Sequence, residues 1–239
     1  MIKRLQNKII LITGAGSGIG REAALTFAKQ GATVILTGKT IKKLETVYDE
    51  IIKNGGPEPA IFPINFLGAT PIHYQELADS LQEHFGRLDG LLNNAAQLGS
   101  LTPIEHYPVE QWYNVLQVNL NAHFLLTKAL LPLLKQSASA SIVFATADVG
   151  NMARAYWGAY AVSKAGIESL AKILAEELET NTAIRVNVID PGKVATALRL
   201  KAYPAEKQSL LSQPSDIMEK YIFLMSEESS AINGEKITV

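Results

Sequence analysis

Tyr160-Ala161-Val162-Ser163-Lys164 sets a tyrosine and a lysine four residues apart. On a helix that spacing puts the phenol and the ammonium on one face, a turn apart. A nearby ammonium favours the phenolate and lowers a tyrosine's pKa, which proton exchange with an alcohol near neutral pH requires. Alone, such a pair is common on helix surfaces and carries little weight.

The second group is glycine-rich: Thr13-Gly14-Ala15-Gly16-Ser17-Gly18-Ile19-Gly20. Glycines let the backbone turn tightly and approach a pyrophosphate, and a following helix offers free N–H groups and the positive end of its dipole. The spacing is Gly-x-x-x-Gly-x-Gly, not the Gly-x-Gly-x-x-Gly of the general dinucleotide fingerprint, so a plain strand-to-helix turn competes with a cofactor cradle. Its place between a strand and a helix favours the cradle, with Gly14, Ser17, Gly18, Ile19 and Gly20 at the cofactor.

Further along, Thr37-Gly38-Lys39-Thr40 has no carboxylate until Glu45. An acidic residue there would hold the ribose 2′-hydroxyl of NAD. Lys39, helped by Lys42 or Lys43, suits a 2′-phosphate, so NADP(H) is expected over NAD(H). The competing explanation is a set of solvated lysines at a helix start.

The elements that must position these groups alternate. Short apolar runs at 8–13, 33–37, 60–64, 88–92, 140–145 and 184–189, with a last one from 235, read as strands, the first fitting a strand buried on both faces. Helical patterns fall at 18–30, 41–53, 71–85, 109–135 and 157–179, and a final one runs to about 226; 191–214 reads as irregular. Pro63 points to an edge position for the third strand. Alternation without hairpin signals implies parallel pairing and right-handed crossovers, hence an α/β, Rossmann-type doubly wound sheet of about seven strands with helices on both faces. No internal break resembles a linker, so 1–239 is expected to be a single domain.

The motifs taken together resemble the short-chain dehydrogenase/reductase family, in its single-domain branch, along nearly the whole chain. The matching pieces stand in order: Thr13-Gly14-x-x-x-Gly18-x-Gly20, Asn93-Asn94-Ala95-Ala96, Val118-Asn119, Tyr160-x-x-x-Lys164, and Arg185-Val186-Asn187 running into Pro191-Gly192. Trp157-Gly158-Ala159-Tyr160 and the stretch 129–134 are most similar to the YciK-type bacterial members of that family.

The resemblance implies roles. Tyr160 would be the general acid/base, and Lys164 would lower its pKa and hold the nicotinamide ribose. Asn119 would bend its helix around a water that relays protons to the lysine. Asn93 and Ala95 would line the adenosine site, Val194 in the Pro191-Gly192 loop would meet the carboxamide, and Thr196 would lie near the phosphates. It also implies a homodimer or homotetramer through the helices around 109–135 and 157–179. The stretch 120–134, apolar almost all round, fits burial in the core or against another subunit.

Three departures stand out. The family's serine, thirteen residues before the tyrosine, is Ala147 here; Thr146 and Asp148 flank it, but on an extended chain they point to the opposite side unless a bulge re-aims them. The usual aspartate after strand three is Asn65, which can still hydrogen-bond the adenine edge. Ala96 replaces a glycine. The sequence also stops at Val239, ahead of the glycine-rich tail many members carry, which bears on the C-terminal part of the assembly.

Composition removes other classes. With 22 Lys+Arg against 23 Asp+Glu there is no basic field to collect nucleic acid, and no charge-free apolar run is long enough for a transmembrane helix. Zero cysteines exclude disulfides, thiolate metal sites and a cysteine nucleophile. The four histidines form no i, i+4 pair, so no metal is expected. The start Met1-Ile2-Lys3-Arg4 leads into an apolar run of only Ile9-Ile10-Leu11-Ile12 with no cleavage pattern, so mature sequence of a soluble cytoplasmic protein is expected. The segment 197–212 is expected to close over substrate, with Leu198, Leu200, Tyr203, Leu210 and Leu211 apolar and Arg154, Arg199 and Lys201 able to meet an acidic group. The reading is an NADP(H)-dependent oxidoreductase interconverting a small-molecule carbonyl and a secondary alcohol, impaired by Ala147. Its rival is a catalytically weak or inactive NADP(H)-binding sensor or scaffold.

Overall fold

The computed structural model describes residues 3–239, so Met1 and Ile2 of the basic start lie outside it. Strands β1 (Ile9–Thr13), β2 (Thr33–Gly38), β3 (Ala60–Pro63), β4 (Gly90–Asn93), β5 (Ala140–Ala145), β6 (Ile184–Asp190) and β7 (Lys236–Thr238) form one sheet in the order β3-β2-β1-β4-β5-β6-β7. Every pairing is parallel. The helices are α1 (Gly18–Lys29), α2 (Ile41–Lys53), α3 (Pro71–Phe85), α4 (Val109–Leu116), α5 (Ala122–Leu134), α6 (Asp148–Met152), α7 (Gly158–Glu179), α8 (Ala197–Ala202) and α9 (Met218–Met225).

Strand alternation divides the core. Ile9 and Leu11 face α3, α5 and α7, while Ile10 and Ile12 face α1, α2 and α9. A strand covered on both sides has no polar face to show, which is why β1 reads as an unbroken apolar run. β3 is an edge strand, where Pro63 costs no ladder bond.

The structure departs from the expected elements in three places. The stretch 109–135 is not one helix: a π-turn at Gln117–Asn121 separates α4 from α5. β4 starts at Gly90 rather than residue 88, because the Leu88 N–H donates to the Leu133 carbonyl on the covering helix. Two short helices, α6 and α8, had no apolar periodicity to announce them; α6 is a single turn closed by Ala153 in the left-handed region at φ 44°. Among the described residues no helix is long and apolar enough to cross a membrane.

Candidate active site

Sheet order reverses between β1 and β4, and ligands of open α/β sheets sit outside the carboxyl ends of the strands at such a point. The buried Thr13 hydroxyl ties the two strand ends together there. It donates to the Leu92 carbonyl at 3.2 Å and accepts from the Asn94 and Ala95 N–H groups at 2.8 and 2.9 Å. Gly14 turns the chain at φ 69°, and a Cβ on Gly20 would overlap the Gly14 carbonyl oxygen, so both positions require glycine. Ser17 opens α1 in extended backbone, but its side chain makes no capping bond and stays free for another partner.

One cavity of about 450 Å³ runs along this edge. Of the residues expected at the site, Gly14, Ser17, Gly18, Ile19, Lys39, Asn65, Ala95, Tyr160, Lys164, Pro191, Gly192, Val194 and Thr196 line it. Gly20, Asn93 and Asn119 do not. Gly20 lies inside the first turn of α1. Asn93, expected on the adenosine wall, is buried behind it, with its side-chain amide between Thr127 Oγ1 at 3.1 Å and His123 Nδ1 at 2.9 Å. β4 carries it on the inward side, so of the two residues expected there Ala95, beyond the strand end, reaches the cavity and Asn93 does not.

His123 completes that cluster, its Nε2 lying 2.8 Å from the Ala95 carbonyl. Burial, with the Lys164 charge adding to it against the Ala95 bond, brings its pKa down to about 4, so the imidazole is neutral at neutral pH. A neutral ring donates from one nitrogen only. Its Nε2 faces the Ala95 carbonyl and its Nδ1 faces Asn93 Oδ1, so the single ring proton serves one of these two acceptors, while Asn93 Nδ2 donates to Thr127 Oγ1. Asn119, at the centre of the π-turn, clamps Gln97: its Oδ1 accepts from the Gln97 N–H and its Nδ2 donates to the Gln97 carbonyl, both at 2.9 Å. The same Nδ2 lies 3.1 Å from Ser163 Oγ on α7. Asn119 and His123 thus hold opposite ends of the cavity-lining segment 95–97.

Tyr160 and Lys164 share one face of α7, with the ammonium 5.6 Å from the ring centroid. The lowered tyrosine pKa expected from that spacing is not what the surroundings impose. Burial raises Tyr160 well above its ordinary value, and the Asp190 and Asp148 carboxylates raise it further. Lys164 is itself buried and engaged. Its Nζ donates to the Ala145 carbonyl at 2.7 Å, and burial lowers its pKa to about 8 against the pull of Asp190 and Glu168.

Behind this pair lies a cluster the sequence did not announce. The Thr146 hydroxyl donates to Glu168 Oε1 at 2.7 Å, Lys236 on β7 donates to the same oxygen at 2.8 Å, and Asp190 Oδ2 is 3.9 Å from the Lys236 ammonium. Glu168 stands four residues beyond Lys164, a signal that could have been read; Lys236 is 68 positions further on and left none. The cluster also answers the question at Ala147. Thr146 is committed to Glu168, and Asp148 accepts from Arg154 at 2.8 Å, while Ala147 presents only a methyl group to the cavity.

Beyond Tyr160 the segment after β6 folds over the cavity. Leu198, Ala202 and Tyr203 line it, whereas Leu200 and Leu210 point to solvent. The cations expected to meet an acidic group are otherwise engaged. Arg199 donates to both Glu206 oxygens at 2.6 and 2.7 Å, Arg154 is held by Asp148, and Lys201 lies outside the cavity. Arg185 and Asn187 serve the fold: Arg185 donates to Ser226 and Ser229, and Asn187 to the Ile232 carbonyl, pinning the C-terminal loop to β6.

A seven-stranded parallel sheet with a glycine turn at its switch point and a tyrosine–lysine helix beside it defines a class of oxidoreductase. The short chain dehydrogenase family model matches residues 8–207, and the chain belongs to that family. Its relatives include the uncharacterized oxidoreductase YciK of Escherichia coli strain K12, 44% identical over 96% of this chain and 90% of that one. Among solved structures, a short chain dehydrogenase of Pseudomonas syringae superposes with TM-score 0.98 at 47% identity, covering 100% of this chain and 96% of its own. One from Shigella flexneri 2a str. 301, complexed with NADP, superposes with TM-score 0.96 at 43% identity, covering 99% and 98%.

Proposed function

We propose that the protein is an NADPH-dependent reductase that converts a ketone to a secondary alcohol, with Tyr160 as general acid/base. The observation that carries this is the opening of Tyr160 and Lys164 into the same cavity as the glycine turn. The residues present fit a phosphorylated dinucleotide. Gly14, Gly16 and Gly18 line the cavity and leave the backbone bare for close approach, and Ser17 keeps its hydroxyl uncapped. Lys39 and Lys43 line the cavity beyond β2, where no carboxylate would hold a 2′-hydroxyl, which favours NADP(H) over NAD(H). The NADP bound to the Shigella relative supports this. Asn65 would take the adenine edge, Thr196 the phosphates, and Val194, with Pro191 and Gly192, the carboxamide side. When bound, the dinucleotide supplies the hydride.

Tyr160 then has one task, to give its proton to the carbonyl oxygen as charge develops there. Burial keeps that proton on the phenol at neutral pH. Lys164 holds its positive charge beside the ring, and Asn119 fixes segment 95–97 opposite. The outer faces of α4, α5 and α7 expose Tyr113, Phe124, Val162 and Ile173, which supports assembly of a homodimer or homotetramer through these helices.

One observation favours a weaker catalyst, or a cofactor sensor: with Thr146 turned to Glu168, the end of β5 supplies no hydroxyl to the substrate oxygen. NADPH oxidation with small ketones, diketones and 3-ketoacyl thioesters separates the two. The reductase reading expects turnover by wild type and a loss of about 10²–10⁴-fold in Tyr160→Phe with NADPH binding retained. Equal, residual rates in the two proteins would hand the case to the sensor.

A further inference from the structure

Around Tyr160 the cavity wall is apolar, built from Ala96, Val149, Trp157, Leu198, Ala202 and Tyr203. The Trp157 ring lies 5.7 Å from the centroids of both Tyr160 and Tyr203, so an aromatic surface flanks the reacting hydroxyl. Three charged side chains reach this end of the cavity, and each is answered inside the protein. Lys164 donates to the Ala145 carbonyl, and Asp148 is held by Arg154. Arg199 is held most closely: Nε and one terminal nitrogen donate to the two Glu206 oxygens, and the guanidinium stacks 3.8 Å from the Tyr203 ring centroid. A bidentate, charge-assisted pair stacked on a ring is among the firmest fixtures available to an arginine.

Resting on the reductase reading, we propose that this site takes an uncharged, apolar, ring-bearing ketone. Glu206 sets that preference by holding Arg199 so that its charge is not offered to the substrate. A ring packs against Trp157 and Tyr203, where aromatic contact adds to the area buried. A carboxylated ketone meets no free cation there. It must break the Arg199–Glu206 pair or bury its charge unpaired, and either cost falls on the acid alone. Glu206 does not line the cavity, so it acts through Arg199, as a positioning residue for specificity.

The test uses a matched pair, acetophenone and 4-acetylbenzoate. Binding to the protein–NADP+ complex is followed by tryptophan fluorescence, and turnover by NADPH oxidation. Wild type is expected to bind acetophenone at least about tenfold more tightly than the acid. Glu206→Gln is expected to tighten 4-acetylbenzoate by about tenfold and to leave acetophenone within about twofold, while Glu206→Asp keeps the wild-type order. A purely structural role would move both ligands together, and that result overturns the inference. So does a wild type that binds the acid as well as the neutral ketone, or an NADP+ complex that binds neither. Selective acetophenone binding without NADPH oxidation would leave the preference standing and sink the reductase reading; failure to bind NADP+ would end both.

Discussion

Lys164→Met separates what the lysine costs the fold from what it does for the site. Lys164 is 3% exposed, and burial brings its ammonium from the ordinary 10.5 down to about 8. A group whose folded pKa lies below its unfolded value binds fewer protons in the fold, so stability rises with pH through that window. Below about pH 8 the full cost is present, roughly 3 kcal/mol, and it is relieved as pH climbs toward 10.5. Methionine keeps the unbranched length and removes the charge, but gives up the bond to the Ala145 carbonyl, about 1.5–3 kcal/mol for a charged donor. Near pH 7 the two effects oppose, leaving the variant within about 2 kcal/mol of wild type while its NADPH-dependent activity is lost. The pH dependence is sharper. Urea unfolding of both proteins should show wild type gaining about 2 kcal/mol on the variant between about pH 7 and about pH 9.5. Tyr160, raised above its ordinary value, weakens both proteins alike at the alkaline end and drops out of the difference. A stability difference that stays flat across that range would refute the claim that Lys164 is held against a desolvation cost.

Three other perturbations probe the site. Ala147→Ser places a hydroxyl on the cavity wall at the extended residue that opens α6, where no side chain now caps the helix. It should raise kcat by about 10²–10³-fold and unfolding stability by about 1 kcal/mol; an unchanged kcat would show that the site works without that donor. His123, its pKa lowered to about 4, costs stability as pH falls from its ordinary 6.5 toward that value, because only the unfolded chain takes up the proton. Wild type should therefore lose roughly 3 kcal/mol more than His123→Gln over that range in urea titrations, and parallel curves would sink the neutral-imidazole assignment. Lys39→Ala should weaken NADPH binding by about 10–100-fold in fluorescence titration and leave NADH nearly unchanged. Equal losses for both cofactors would remove Lys39 from the 2′-phosphate.

The parts of this molecule legible in its sequence are those whose causes are local. Helices α2 and α3 stand where their patterns placed them, and the tyrosine–lysine spacing does put both groups on one face. What escaped reading depends on partners far apart in the chain. Strand alternation said that Thr146 and Asp148 point away from the side Ala147 serves, but not what waits for them. A glutamate 22 residues on takes the threonine, and Arg154 takes the aspartate. The raised pKa of Tyr160 escaped for the same reason: spacing reveals the ammonium one turn away, but not the burial that raises the phenol nor the Asp190 and Asp148 carboxylates that add to it. Arg199 and Glu206, only seven residues apart, escaped because nothing periodic marks a segment that folds back on itself. Each of these hidden pairings places a charge or a hydroxyl near Tyr160 and then satisfies it from within the protein. The site that results is polar in composition and apolar in what it offers a substrate, a distinction that residue types alone cannot express and that hydrogen-bond partners decide.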